Sequence, residues 1–451
     1  MATKVLAPPQ SHLSDRKSVS APRAAPPPPE PKRRSWFVSR EDQAEDAERR
    51  LLLDETSNSS DNAEPSSIKT KFVSKMVPCG TDAKTGKLIF MNTLIFEPKK
   101  TIRRERREKK GDHSVDNDNN EEDHEDLQPG IPVVMGHGWG SGLGLFYRNF
   151  DAVASIPGVR LYAIDWIGMG RSSRCTFPKA CFHVPRTSHR GNAEAKKATT
   201  AEIREHELKQ VRRSEDFFID ALEQWRANLG LSKMILFGHS LGGYLSTVYT
   251  IRYPERVSQL LLCSPVGMPQ PPADLDERAI RTWKGRTFKW LWETTTPQSV
   301  LRGLGWIGRK MINKFVWGRW ADLEGVEEQD LAKIAAYLHT ISVLPPSGEL
   351  ASNSILRFGA YARHPLGDRF RAGEVKVPTS FIYGERDWMS PDTARDLIRE
   401  SPKTVVGCHV IANGGHNMFL ENPEDFNIVL REIILVHLAC TEGGGDLTQK
   451  R

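Results

Sequence analysis

Apolar positions change rhythm along the chain, and each change marks a boundary. Residues 1–66 show neither the two-residue nor the 3.6-residue period. From Ile68 the positions alternate through Val73, and the short runs Leu88-Ile89-Phe90 and Leu94-Ile95-Phe96 follow. That pattern predicts an antiparallel meander of short strands. From Ile131 apolar runs take over: Ile131–Met135, Val159–Ile164, Met234–Phe237 and Val257–Cys263, then Thr379–Tyr383 and Gly407–Ile411. A helix over roughly 201–229 carries Phe217, Phe218, Ala221, Leu222 and Trp225 in one apolar stripe. Strands alternating with helices predict an α/β domain: a mostly parallel sheet with helices on both faces.

The gaps in this pattern set the domain limits. Residues 1–66 read as a disordered basic, Pro-rich extension, 67–440 as the α/β domain and 441–451 as a flexible tail. A tract at 99–128, basic at first and then acidic and Asn-rich, has too little apolar surface to offset its ordering entropy and reads as a disordered insertion. Residues 266–374 interrupt the alternation between two strands of one sheet, so they read as a helical lid. A hydrophobic fraction of 38% fits a packed core diluted by such segments, since folded domains usually reach about 45–50%.

Composition narrows the setting. Six cysteines lack the spacing of a metal site or disulfide framework, so reduced thiols are expected. No apolar run is long enough to span a membrane, and no secretory signal opens the chain. Residues 1–40 hold eight cations against two acids, with several serines, as a mitochondrial transit peptide would. The Pro-rich stretch 21–31 opposes the amphipathic helix such peptides use, which leaves a plain tail, in a cytoplasmic or lipid-droplet protein, as the other reading.

Gly238-His239-Ser240-Leu241-Gly242 lies between the run Met234–Phe237 and a helix-like stretch, Gly243 to Arg252. The pentapeptide alone is weak evidence, but strand, turn and helix in that order form a nucleophile elbow. Glycines on both flanks are expected to supply the positive φ of a tight turn. A serine hydroxyl needs a base to take its proton, and the elbow predicts an acid and a histidine later in the chain. Asp387 follows a strand end, with Glu385 and Asp392 as rivals; His416 follows a strand and a paired-glycine turn. The oxyanion hole falls to the backbone of Leu241 and of Trp139 or Gly140 in the glycine-rich loop His137 to Gly142. His137 reads as ordering that loop and Asp165 as a structural anchor. The glycine-rich loop matches neither a dinucleotide nor a Walker pattern, and neither cofactor nor metal is expected.

The stretch from Arg278 to Trp320 adds a second signal. It holds six of the eleven tryptophans, Trp283, Trp290, Trp292, Trp306, Trp317 and Trp320, and ten cations among which are Arg286, Lys289 and Lys310; Glu293 is its single acid. Tryptophan favours the bilayer interface and cations favour anionic headgroups, so this lid is expected to meet an anionic membrane surface. The competing reading packs the tryptophans on the core. Nucleic acid is not expected as a partner.

Five motifs, HGWGSGLGLFYRNF at 137–150, DWIGMGRSS at 165–173, EDFFIDALEQWR at 215–226, GHSLGG at 238–243 and HNMFLENP at 416–423, together resemble one α/β-hydrolase subfamily. It includes N-acyl-phosphatidylethanolamine lipases, the lipid-droplet lipase coactivator, and fungal mitochondrial cardiolipin-specific deacylases with lysophosphatidic acid acyltransferase relatives. The resemblance covers roughly Ile68 to Leu438. It implies the α/β-hydrolase fold, Ser240, Asp387 and His416 as triad, and a glycerophospholipid substrate, with a cardiolipin deacylase-like activity expected first. A lysophosphatidic acid acyltransferase and a non-enzymatic lipase regulator are the alternatives. The coactivator carries Asn at the nucleophile position, whereas this chain has Ser240. The acyltransferases have been associated with H-x-x-x-x-D; here Glu421 follows His416, which weakens that alternative.

Overall fold

The computed structural model describes residues 39–53, 68–97, 130–177, 199–275, 295–323 and 325–442, with scattered positions between 277 and 289. Eight strands form one sheet: β1 (Phe72–Thr81), β2 (Leu88–Phe96), β3 (Ile131–Gly136), β4 (Val159–Ile164), β5 (Met234–His239), β6 (Val257–Cys263), β7 (Thr379–Gly384) and β8 (Val405–Ile411). Their order is β1-β2-β4-β3-β5-β6-β7-β8. β1 pairs antiparallel with β2 and β2 antiparallel with β4, while β3 to β8 run parallel. The chain steps from β3 outward to β4, then returns to lay β5 on the other side of β3. Such a reversal opens a crevice at the carboxyl ends of the two central strands, where open α/β sheets gather their site residues.

The α-helices with described bounds are α1 (Arg40–Leu52), α2 (Phe150–Ala154), α3 (Thr200–Asn228), α4 (Leu241–Arg252), α5 (Pro297–Leu304), α6 (Trp306–Trp320), α7 (Glu328–Ser342), α8 (Gly348–Ile355), α9 (Leu366–Arg371), α10 (Asp392–Glu400), α11 (Met418–Glu421) and α12 (Pro423–Glu442). Side chains alternate across each strand. On β5, Ile235 and Phe237 enter one apolar cluster with residues of α1, α7 and α12, whereas Met234 and Leu236 enter a second with residues of α3 and α4. Both faces are therefore covered, which is why these strands read as unbroken apolar runs. Between β6 and β7 lie α5 to α9.

Two elements differ from the sequence reading. β2 is one continuous strand, because its polar centre is buried with partners: Trp225 Nε1 donates to Thr93 Oγ1 at 2.9 Å, and Asn92 Nδ2 donates to Asp165 at 2.8 Å and to both Glu48 oxygens. The extension expected to be disordered through residue 66 contains α1, capped by the Ser39 hydroxyl, which accepts the Asp42 N–H at 3.0 Å. Ala44, Ala47, Leu51 and Leu52 are buried, and the buried Glu48 meets Arg171 at 2.6 Å. Small residues and one paired carboxylate dock this helix where a large apolar stripe would ordinarily be needed. The rest of that extension, the 99–128 insertion and the 441–451 tail apart from Thr441 and Glu442 lie outside the described residues.

Candidate active site

Ser240 sits between β5 and α4 with φ 53° and ψ −116°. A non-glycine residue held there stores on the order of 1–3 kcal/mol of strain, and the surroundings enforce it. The Ser240 amide donates to the Cys263 carbonyl at 2.9 Å, and its own carbonyl accepts from Gly243, Tyr244 and Val266. The flanking glycines act differently from the expectation. The positive φ belongs to Ser240 itself, not to Gly238 or Gly242. A Cβ on Gly238 would stand 2.4 Å from the Gly242 carbonyl oxygen, and one on Gly242 would stand 2.5 Å from that of His137. These two residues are glycine because backbone must touch backbone.

The structure brings the two remote partners to this serine. His416 Nε2 lies 3.1 Å from Ser240 Oγ, and His416 Nδ1 lies 3.1 Å from Asp387 Oδ1. With Nδ1–H donated to the carboxylate, Nε2 keeps a lone pair for the serine proton. Asp387 is fully enclosed, and it accepts the Met389 N–H at 3.0 Å and the Ser264 hydroxyl. Its rivals are engaged elsewhere: Glu385 accepts the Asn413 N–H at 2.9 Å, and Asp392 faces Arg395 at 3.6 Å.

Three further residues shape the site, none of them marked as functional by sequence reasoning. His239 Nε2 lies 2.9 Å from the His416 carbonyl, so a donated proton there holds the backbone of the second histidine. Burial keeps the His239 imidazole well below its usual pKa, and therefore neutral. Ser264 braces Asp387 from the end of β6. Trp388 places its ring 5.2 Å from that of His416 and is 60% exposed, an aromatic rim beside that imidazole. Each is a sequence neighbour of a strand end or of a candidate residue, and that adjacency was the signal available.

The loop after β3 lies against Ser240: a Cβ on Gly138 would stand 2.9 Å from Ser240 Cβ. Trp139 and Gly140 follow, the latter at φ 67°. Leu241 opens α4, where helical N–H groups lack intrahelical partners. His137 orders this loop from within. It is buried, with Nδ1 2.7 Å from the Gly138 carbonyl, and its Nε2 accepts the Trp166 N–H at 3.3 Å. Asp165 anchors the adjoining turn by accepting the N–H groups of Leu143 and Arg171, each at 2.8 Å. Among the described residues no cluster of His, Cys, Asp and Glu could hold a metal ion.

Residues 131–423 match the α/β hydrolase fold family. The chain belongs to that family. This α/β hydrolase is related to lipid-modifying enzymes. A rice protein (Oryza sativa subsp. japonica) named probable 1-acylglycerol-3-phosphate O-acyltransferase is 35% identical over 304 residues, 65% of each chain. The match thus spans a little under two thirds of that relative. A bovine (lyso)-N-acylphosphatidylethanolamine lipase is 32% identical over 68% of this chain and 80% of its own length. A pig (Sus scrofa) 1-acylglycerol-3-phosphate O-acyltransferase, ABHD5, is 33% identical over 67% of this chain and 77% of its own.

The residues expected to meet a membrane divide once they are placed on the α/β hydrolase. Trp283 and Trp306 are 67% and 68% exposed, Arg286 and Lys310 are exposed, and Lys289 is half-buried. Trp317 contradicts the expectation: it is buried at 4% exposure on the inner face of α6, beside Val316 and the equally buried Trp320. Trp317 stands only about 20° around the helix from Trp306 but three turns further along, where α6 packs on the core through Val316, Trp317 and Trp320. Trp290 and Trp292 lie outside the described residues.

Proposed function

We propose that this α/β hydrolase is a serine acyl hydrolase that deacylates a glycerophospholipid, with a cardiolipin deacylase-like activity as the first to test. The unbroken relay from Asp387 through His416 to Ser240 carries the reading. His416 takes the Ser240 proton as Oγ attacks the ester carbonyl, and the N–H groups of Leu241 and of Trp139 or Gly140 receive the oxyanion. His416 then protonates the leaving lysolipid, and water repeats the sequence on the acyl-enzyme. Asp387 orients the imidazole and stabilises its cation.

Two observations support a phospholipid. Relatives at 32–35% identity bear names that involve phosphate-containing lipids. A cleft beside Trp139 and Gly140 is lined by Arg174 and Arg302 under the proposed lid. Arg302 is paired with Glu349 at 2.7 Å, and Arg174 is held by the carbonyls of Gly168, Gly170 and Ile341. Burial brings the Arg174 guanidinium down to about 10, which leaves it cationic at neutral pH. Two cations beside the cleft suit the negative charge of a phosphodiester next to the reacting ester. The basic residues 1–40, which lie largely outside the described residues, fit delivery to mitochondria.

Incubation with mixed-phospholipid vesicles followed by product profiling tests this reading. The parent protein should release fatty acid and lysolipid, and Ser240→Ala should release neither while keeping the parent's melting temperature. Release at the parent rate by Ser240→Ala would overturn the assignment. The names of the rice and pig relatives favour a second reading in which a lysophospholipid replaces water; new diacyl product with lysophosphatidic acid present would identify it. A folded chain that forms no fluorophosphonate adduct at Ser240 would favour a non-enzymatic lipase regulator.

A further inference from the structure

Helix α6 has two apolar faces. Gly308, Ile312, Val316, Trp317 and Trp320 are buried against the domain. Outside that contact, Trp306, Ile307, Met311 and Phe315 are exposed at 68%, 43%, 47% and 55%. Ile307, Met311 and Phe315 recur every four residues in one stripe about 12 Å long, from eight steps of about 1.5 Å, and Trp306 flanks its N-terminal end. Single exposed apolar residues are ordinary on soluble proteins, but a stripe of three large ones with a tryptophan beside it marks a surface that something covers.

The charge on the same helix says what that is. Lys310 and Lys314 lie exposed in the row that begins at Trp306, beside the stripe, and Lys310 Nζ sits 4.6 Å from the centre of the Trp306 ring. Arg309 and Arg319 bring α6 to four cations, and the helix contains no acid. An apolar protein groove would satisfy the tryptophan and phenylalanine but would leave the ammonium groups facing apolar surface. A phospholipid surface satisfies both: acyl chains take the apolar side chains, anionic headgroups take the lysines, and the indole sits between.

We infer that the outer face of α6 docks this protein on an anionic phospholipid surface, through Trp306, Ile307, Met311, Phe315, Lys310 and Lys314. The inference deepens the phospholipid-hydrolase reading and rests on it for the partner's chemistry. Its position fits. The same helix ends in Arg319 and Trp320, whose N–H groups both donate to Glu421 at 3.3 Å, and Glu421 holds the loop that carries His416. The C-terminal end of α6 is thereby tied to the loop of His416.

Vesicle flotation of the purified full-length chain tests the inference. Phosphatidylcholine vesicles are compared with vesicles of phosphatidylcholine mixed with phosphatidylglycerol. The parent should float with the anionic vesicles. Met311→Asp with Phe315→Asp should abolish flotation on both at an unchanged melting temperature. Lys310→Gln with Lys314→Gln should weaken anionic partitioning by about thirtyfold, at about fivefold for each lysine lost, and leave phosphatidylcholine binding as it was. Either pair keeps the test alive if the other fails to fold. A parent that does not float, equal binding to both vesicle types, or an aspartate pair that floats like the parent would overturn the inference. A parent dimer split by the aspartate pair, with flotation unchanged, would assign the stripe to a second copy instead. Flotation needs no turnover, so a chain that floats yet leaves the acyl esters intact defeats the hydrolase reading alone.

Discussion

Glu421 holds Gly415: its Oε2 accepts the amide N–H of the residue that precedes His416. Its other oxygen accepts from Arg319 and Trp320 on α6, so one buried carboxylate joins the catalytic loop to the β6–β7 connection. In Glu421→Gln one side of that junction meets an NH2 group where it needs an acceptor. The expected result is a fall of about tenfold in kcat on a soluble acyl ester, near 1.4 kcal/mol in barrier, with KM unchanged. Glu421→Asp, a methylene short of spanning both partners, should behave alike. A rise in KM at constant kcat would assign Glu421 to substrate binding.

Asp387 is the acid whose loss should be felt most after Ser240 and His416. Asp387→Asn turns the imidazole to the wrong tautomer and should lower kcat by up to about 10⁴-fold. Ser264→Ala removes a hydrogen bond to the enclosed carboxylate, and a roughly ten- to hundredfold loss is expected. Initial rates on a soluble ester measure both. Parent-like rates from Asp387→Asn would return the role to Glu385 or Asp392.

The elbow glycines can be tested against a glycine under no constraint. Gly238→Ala drives a methyl group to 2.4 Å from backbone that cannot yield, and it should cost more than about 2 kcal/mol in stability. Gly303, in α5, has open space around its missing Cβ, and Gly303→Ala should stabilise by up to about 1 kcal/mol. Denaturant melts of the two variants read both signs, and a neutral Gly238→Ala would remove the close-approach account of the elbow.

Glu48 makes the docking of α1 depend on pH. Burial, reinforced by the neighbouring Asp165 carboxylate, pushes its carboxyl up to about 7 against the opposing pull of Arg171. The folded chain thus holds this proton more tightly than the unfolded chain. The contribution is fully present below an unfolded pKa near 4.5 and is lost as pH rises through about 7, a change of up to roughly 3 kcal/mol. Glu48→Gln does not titrate, so its melting temperature relative to the parent should climb between those two values. A difference that stays constant across the range would mean that Glu48 does not titrate there.

The residues that the structure brings together were legible in the sequence because a nucleophile elbow dictates the types and order of its expected partners. Ser240, Asp387 and His416 each stand at a strand end, and the apolar runs exposed those ends. What escaped was set by facing and contact. Whether Trp317 points inward or outward depends on which side of α6 meets the core, and composition is silent on that. Helix α1 is rich in charge, and its docking rests on small alanines and one carboxylate whose partners, Asn92 and Arg171, are far away in sequence. The bracing by His239, Ser264 and Glu421 consists of a few individual hydrogen bonds, most of them between distant segments, which leave no periodic trace.

The seating of α1 also sets a limit on proteolytic maturation. Ser39 caps the helix, Arg40 Nη1 reaches the Val343 carbonyl at 3.0 Å, and Glu48 fills the space between Asn92 and Arg171. A cut beyond Leu53 would remove these contacts together and leave Asn92 and Arg171 facing an open hole beside the turn that Asp165 anchors.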